Sequence, residues 1–136
     1  EATIKDFGII GVDSGWEIHV AGNGGIKVRV TDFLCKVKTD EELFEMVKAY
    51  MQFYREDAYY LERTAHWIER VGLEYVKEVL FDEEKRKMYA ASFDISQKSA
   101  QVDPWAKAIE DGFTKEFSPI VIDPNDSHSF EAKEQI

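Results

Sequence analysis

The first third of the chain alternates apolar and polar residues in short runs, which predicts β structure. Residues 7–12 form an almost continuous apolar run, as in a strand covered on both faces. After turn residues at 13–15, Trp16–Val20 alternates and predicts a half-buried strand. Residues 26–31 alternate in the same way, and the Gly-rich residues 21–25 lie between the two segments. Alternating segments around an Asn-Gly turn predict a β-hairpin.

The middle of the chain carries helical spacing. Thr39 and Glu42 form a capping-box pattern that predicts the start of a first helix. Thr64 is expected to cap a second helix that turns Trp67 inward and ends at Gly72. The apolar spacing then continues, and a last helix is predicted from about Glu83 to Gln97. The apolar face of the first helix is predicted to consist of Leu43, Val47, Tyr50, Met51, Tyr54, Ala58 and Leu61.

Strands followed by helices indicate an α+β fold, with a mainly antiparallel sheet and helices packed on one face. Residues 1–108 are predicted to form one lobe. Residues 109–136 are rich in acids and prolines and are predicted to form an acidic C-terminal tail, with a short strand at Ile120–Ile122.

Composition narrows the range of functions. The 136 residues are 44% hydrophobic and carry a net charge of −10, without a Lys/Arg-rich stripe, so nucleic acid is excluded as the expected partner. No apolar run approaches the ~20 residues of a membrane span, and no secretory leader is present, so a cytoplasmic protein is expected. The start at Glu1 rather than Met is expected for a segment of a longer protein.

Cysteine and histidine usage limits metal chemistry. The single cysteine, Cys35, has apolar neighbours and is expected to be a small buried residue, with a reactive thiol as the alternative. His19, His66 and His128 lack ligand spacing, so no metal site is predicted within the chain. The residues Tyr50, Phe53, Tyr54, Tyr59, Tyr60 and Trp67 are expected to be core and helix-packing groups rather than a stacking platform.

Candidate ligand-binding residues cluster around the predicted hairpin turn. Glycines let backbone amides approach a ligand, although their spacing alone favours an ordinary hairpin turn. The Gly-x-Gly-x-x-Gly fingerprint of dinucleotide-binding sites is absent. Lys27 and Arg29 lie two positions apart on the predicted strand at residues 26–31, so their side chains would share one face. That face is either solvated or an anion site for the carboxylates of a cofactor. No catalytic residue is identified. The candidate cofactor-binding residues are Gly22, Asn23, Gly24, Gly25, Lys27 and Arg29.

Several blocks of the chain resemble the large subunit of NAD(P)H-dependent assimilatory nitrite reductases, in the nitrite/sulfite reductase superfamily. The blocks are Gly15–Arg29, Thr31–Val37, Tyr60–Thr64, Trp67–Val76 and Gln101–Trp105. They occur in the family's order, and the likeness covers residues 3–105. The chain departs from the family at two places, Ala21 and His66, where relatives usually carry Gly and often carry Pro.

The resemblance implies the C-terminal half of a siroheme domain. Such enzymes pass electrons from NAD(P)H through an upstream FAD to a [4Fe-4S] cluster and siroheme, where nitrite is reduced to ammonium. The family's cluster cysteines lie ahead of the segment that Ala2 begins, and Cys35 corresponds to none of them. Residues 22–25, Lys27 and Arg29 are then expected to contact the siroheme or cluster pocket. The chain alone is expected to be inactive and to hold no cofactor.

The resemblance also implies partners and leaves alternatives. The expected partners are the upstream domains of the same polypeptide, with the small subunit of nitrite reductase as a further candidate. One alternative is the equivalent lobe of a siroheme sulfite reductase, against which the block Trp67–Val76 argues. The other alternative is a non-catalytic binding or interaction module.

Overall fold

A computed structural model describes residues 1–112, and its fold is α+β as predicted. Residues 1–100 form one unit, and α5 lies in a second unit that begins at Gln101. The predicted boundary at residue 108 stays a prediction, and the predicted strand at Ile120–Ile122 falls outside the described residues. After a 3-10 turn at Ala2–Ile4, the elements are β1 Phe7–Val12, β2 Gly15–Val20, β3 Asp32–Val37, α1 Asp40–Asp57, α2 Thr64–Val71, α3 Leu73–Phe81, α4 Glu83–Ala100 and α5 Pro104–Glu110.

The sheet is antiparallel with the order β1-β2-β3. β1 and β2 form a tight hairpin in which Val12 pairs with Gly15. The other edge of β2 pairs with β3, and the register shifts between Ile18 and His19. The predicted strand at residues 26–31 is therefore wrong, because β3 occupies the edge of β2 to which it was assigned. The only bridge among those residues joins Asn23 to Arg29.

The core lies between the sheet and the helices. Ile18, Val20 and Leu34 of the sheet are buried in one cluster with side chains of α1 to α4. Trp67 is fully buried, and its ring centroid lies 5.9 Å from that of Tyr50. Further edge-on or tilted contacts surround it, so the expectation of an aromatic core is confirmed for these rings. The rings of Tyr59 and Tyr60 are exposed, and for them the expectation is wrong.

Of the three helix ends predicted from capping residues and glycine, two are confirmed and one is wrong. The capping box of α1 is confirmed, because the Glu42 amide donates to Thr39 Oγ1 (3.2 Å) and the Thr39 amide to Glu42 Oε2 (3.3 Å). Gly72 ends α2 with φ +86°, as predicted. The predicted cap at Thr64 is wrong, because its hydroxyl donates to Asp6 Oδ1 (2.7 Å) and α2 begins without a side-chain cap.

Leu61 is not on the buried face of α1, since it follows the helix and is exposed. Helix α5 was not predicted, although Asp103 caps it and Pro104 occupies its first position. Cys35 is half-buried, and burial raises the pKa of its thiol to about 11, which favours the small buried residue over the reactive thiol.

Among the helices of residues 1–112, none has the length and apolar character needed to cross a membrane.

Candidate functional site

The predicted site residues lie on the β2–β3 loop, residues 21–31, which is tied to the N-terminal segment. The loop begins at Ala21, a fully buried residue with φ +62° whose amide donates to the Asp6 carbonyl (3.0 Å). A left-handed conformation costs an L-residue roughly 1–2 kcal/mol. The hydrogen bonds that surround Ala21 must therefore outweigh this cost.

Gly22 allows two backbone segments to approach each other. Its amide donates to the Lys5 carbonyl (2.9 Å), and farther along the Thr31 amide donates to the Thr3 carbonyl (2.9 Å). A Cβ on Gly22 would lie 2.5 Å from the Lys5 carbonyl oxygen and 2.7 Å from the carbonyl carbon of Ile4. The missing side chain at this position thus serves close contact with the chain's own backbone.

Asn23 organises the tip of the loop. It exchanges two backbone hydrogen bonds with Arg29 (2.9 Å each). Its side chain donates to the Lys27 carbonyl (3.0 Å) and accepts from the Gly25 amide (3.1 Å). The amides of residues 22, 23 and 25 are therefore engaged within the chain. The amide of Gly24 makes no hydrogen bond with the described residues.

Arg29 fastens the loop to the body of the unit. Its guanidinium donates to the Ala21 carbonyl (2.8 Å) and to Asp32 Oδ2 (2.8 Å). A third bond reaches Glu69 Oε1 on α2 (3.2 Å). The side chain is 24% exposed, and two carboxylates compensate its charge. The structure thus gives Arg29 a clamping role, and its predicted contact with a cofactor stays a prediction.

Lys27 is exposed, and its ammonium makes no ion pair with any residue of the described range. It borders a cavity of about 100 Å³ that Asn23, Arg29, His66 and Glu69 also line. Lys27 and Arg29 are therefore close along the chain but differ in their ion pairing. Two carboxylates pair with the Arg29 guanidinium, whereas the Lys27 ammonium has no carboxylate partner among the described residues. The absence of a strand here also removes the predicted shared strand face.

The tip of the loop exposes apolar side chains. Ile26 is fully exposed, and Val28 and Val30 are 67% and 64% exposed. Their alternation with polar residues reflects no burial within the described unit. An apolar surface on an ordered loop is typical of a contact with another protein segment or a ligand.

Two residues that shape this site carry no sequence signal for it. Asp6 joins the N-terminal segment to the start of α2 by accepting from Thr64 and from Arg63 Nη2 (2.7 Å). The Glu69 carboxylate accepts a hydrogen bond from Arg29, which lies 40 positions earlier in the chain. Such long-range pairs follow from tertiary packing, which periodicity and motifs do not encode.

The residues present do not fit an iron–sulfur cluster. A [4Fe-4S] cluster is held by Cys thiolates, commonly four. The chain has one cysteine, and burial keeps the pKa of that Cys35 thiol near 11. Within residues 1–112, no three His, Cys, Asp or Glu side chains gather as metal ligands would. Individual contacts to cofactor carboxylates are a better fit, since the Lys27 ammonium and the Gly24 amide are available donors.

Comparison with known proteins places most of the chain in one family. Residues 1–88 match the family described as the nitrite and sulphite reductase 4Fe-4S domain. The chain is 50% identical over 111 residues, 82% of its length, to the nitrite reductase [NAD(P)H] of Bacillus subtilis. It is 41% identical over 85 residues, 61% of its length, to the nitrite reductase (NADH) large subunit of Escherichia coli.

A more distant relative is the assimilatory-type sulfite reductase of Nitratidesulfovibrio vulgaris, which is 28% identical over 80 residues, 59% of the chain and 37% of that protein. The matched region is only 14% of the Bacillus relative and 10% of the Escherichia one. No solved structure gave a significant match.

Proposed function

Because this chain belongs to the family of nitrite and sulphite reductase 4Fe-4S domains, we propose that it is part of an NAD(P)H-dependent nitrite reductase. The degree of likeness supports nitrite over sulfite as the substrate. Identity is 50% to a relative named nitrite reductase [NAD(P)H] and 28% to one named sulfite reductase. Such an oxidoreductase would reduce nitrite to ammonium in the cytoplasm, with electrons that pass from NAD(P)H through FAD.

Within that enzyme, the chain contributes the β2–β3 loop to the siroheme pocket, and the cluster thiolates come from other parts of the polypeptide. When bound, the siroheme and the cluster would relay electrons from NAD(P)H to nitrite. The observation that carries this proposal is that different residues of the loop hold its shape and offer free donor groups. Arg29 and Asn23 hold its shape, whereas the Lys27 ammonium and the Gly24 amide remain available.

The chemistry of the cofactor suits these donors. Siroheme carries several carboxylate arms, and an ammonium attracts carboxylates more strongly as water is excluded. Lys27 would therefore hold a carboxylate, and the Gly24 amide would donate a hydrogen bond. The exposed side chains of Ile26 and Val28 would exclude water from the contact. The partners in this arrangement are the preceding domains of the same polypeptide.

Lys27 is the first residue to test, in the complete reductase. Lys27→Ala should weaken siroheme retention about tenfold if the contact is worth about 1.4 kcal/mol. The measurement is the siroheme absorbance per protein after dialysis against a competing apoprotein. Lys36→Ala is the matched control, because Lys36 is an exposed lysine on β3 that makes no ion pair with described residues. Equal siroheme retention in both variants would contradict a carboxylate contact at Lys27.

The 136-residue chain by itself provides a second test. It should show no siroheme or cluster absorption after expression with siroheme synthesis, because it lacks the thiolates. A stoichiometric Soret band in the purified chain would show that the ligands lie within it and would end this part of the proposal.

A further inference from the structure

The connection between α1 and α2 exposes two large side chains on a tight turn, here called the Tyr59–Glu62 turn. Tyr60 is 92% exposed and Leu61 is 82% exposed. Leu61 also has φ +62°, a conformation that L-residues with large side chains rarely adopt. An exposed apolar residue held in an unfavourable conformation has no evident benefit for the stability of the unit itself.

The turn is nevertheless held firmly. The Tyr59 amide donates to Glu62 Oε2 (2.9 Å), and the Glu62 amide donates back to the Tyr59 carbonyl (3.0 Å). Arg70 grips the Glu62 carboxylate with two hydrogen bonds of 2.8 Å and lies 3.9 Å over the Tyr59 ring. The Tyr54 hydroxyl donates to the Glu62 carbonyl. The turn is therefore preorganised with Tyr60 and Leu61 projecting from it.

Helix α2 joins this turn to the β2–β3 loop. Two neighbouring residues of α2 bond in different directions: Glu69 accepts from Arg29 of the loop, and Arg70 donates to Glu62 of the turn. Asp6 adds a second link, because its carboxylate binds Arg63 next to the turn and its carbonyl accepts from Ala21 of the loop. Both exposed apolar tips thus belong to one hydrogen-bonded framework.

We propose that the Tyr59–Glu62 turn is a docking element, which places Tyr60 and Leu61 in an apolar pocket on another part of the same polypeptide. The turn lies within the residues that match the family, and the matched region is only 14% of the first relative, so most of such a protein is available as a partner surface. This inference rests on the proposed function, since it assumes the longer reductase.

The charges near the turn define the chemistry of the pocket. Glu62 is paired with Arg70, and Arg63 is paired with Asp6, so neither needs a counter-charge from the partner. The surface offered therefore consists mainly of the side chains of Tyr60 and Leu61, with the less exposed Tyr59 ring held beside them under Arg70. It fits an uncharged apolar pocket with a hydrogen-bonding group for the Tyr60 hydroxyl.

Hydroxyl-radical footprinting tests the location of the pocket, with the oxidation rates of Tyr60 and Leu61 compared between the complete reductase and the 136-residue chain. Both residues should react several-fold more slowly in the complete protein. Equal rates would overturn the proposal. Protection that grows with concentration of the 136-residue chain would assign the turn to a second copy, and protection that requires an added small subunit would assign it to that subunit. Either result overturns the proposal too.

Leu61→Gly separates docking from folding. Glycine adopts φ +62° without strain, so the substitution should raise the melting temperature of the 136-residue chain. In the complete reductase it should instead reduce the protection of Tyr60, because half of the apolar contact is lost. Undiminished protection of Tyr60 would overturn the proposal. Phe44→Ala is the control, as Phe44 is an exposed apolar residue of α1, and it should leave the protection unchanged.

The siroheme content of the same preparations keeps this inference distinct from the proposed function. Siroheme retention that depends on Lys27, without protection of Tyr60, overturns the docking element alone. Protection of Tyr60 with siroheme retention that is indifferent to Lys27 overturns the role of the loop and leaves the docking element standing.

Discussion

The surroundings of Trp67 and the tip of the β2–β3 loop use apolar residues in opposite ways. Trp67 is fully buried among aromatic rings, and its indole N–H is bonded to Asp57 Oδ2 (2.7 Å). At the loop tip, the polar groups of Asn23 and Arg29 are bonded internally while Ile26 is fully exposed. The first region is stabilised by burial and the second by hydrogen bonds. The loop therefore keeps its shape while its apolar surface stays available for contacts outside the unit.

Truncating the aromatic core should have the largest effect on this comparison. Trp67→Ala removes the ring and leaves Asp57 without its donor, so the free energy of unfolding should fall by about 3–5 kcal/mol. Urea denaturation of the 136-residue chain, followed by circular dichroism, measures it. A loss below about 1 kcal/mol would mean that burial around Trp67 is not the main source of stability.

Gly22→Ala tests whether the loop depends on its backbone contacts. The added Cβ would lie 2.5 Å from the Lys5 carbonyl oxygen, so the backbone would have to shift. The free energy of unfolding of the 136-residue chain should therefore fall by about 1–3 kcal/mol. Gly24→Ala is the matched control, because its nearest neighbour would be 3.5 Å away, and a change within about 0.5 kcal/mol is expected. Equal losses in the two variants would show that Gly22 is not a point of close approach.

Glu62→Gln tests an exposed turn held by charge rather than by burial. Hydrogen bonds from Arg70 lower the pKa of Glu62 to about 2 in the folded protein, against roughly 4.3 in the unfolded chain. Its stabilisation is complete above that unfolded value and is lost as pH falls toward 2. The variant should melt at a lower temperature at pH 7, and the difference should disappear between pH ~4.3 and ~2. A gap in melting temperature that is independent of pH would contradict the Glu62–Arg70 pairing.

The smallest effect is expected at the loop tip. Ile26→Ser should change the stability of the 136-residue chain by no more than about 0.5 kcal/mol, because the side chain contacts little of the unit. Ile18→Ser, at a fully buried position of β2, should by contrast be severely destabilising. Thermal melts of both variants measure the contrast. A substantial loss for Ile26→Ser would place its side chain in a core contact and erase the difference between the two regions.

Much of the fold is predictable from local sequence. The capping box at Thr39 and Glu42, the helix end at Gly72 and the strands on either side of residues 13–14 depend on neighbours a few positions apart. The strand assigned to residues 26–31 failed for a different reason. Alternation identifies a segment suited to a sheet edge, but β3 pairs with β2 instead, and that choice depends on the whole core.

The site was predictable only as a location. The Gly-rich turn and two nearby cations mark the loop, yet the sequence does not separate their roles. Arg29 is compensated by Asp32 and by Glu69, which is distant in sequence, whereas Lys27 is not compensated within the described residues. Thr64 shows the same limit, since its hydroxyl serves Asp6, 58 positions away, rather than the start of its own helix.

The backbone bonds between the N-terminal segment and the β2–β3 loop have a mechanical consequence. The carbonyls of Thr3, Lys5 and Asp6 accept from amides at both ends of the loop, so the segment cannot slide by one residue without breaking all three bonds. Tension applied at Glu1 would be transmitted to both stems of the loop, and the position of Lys27 would respond to it. The position of the loop tip would thus depend on the position of the N-terminal segment, residues 1–6.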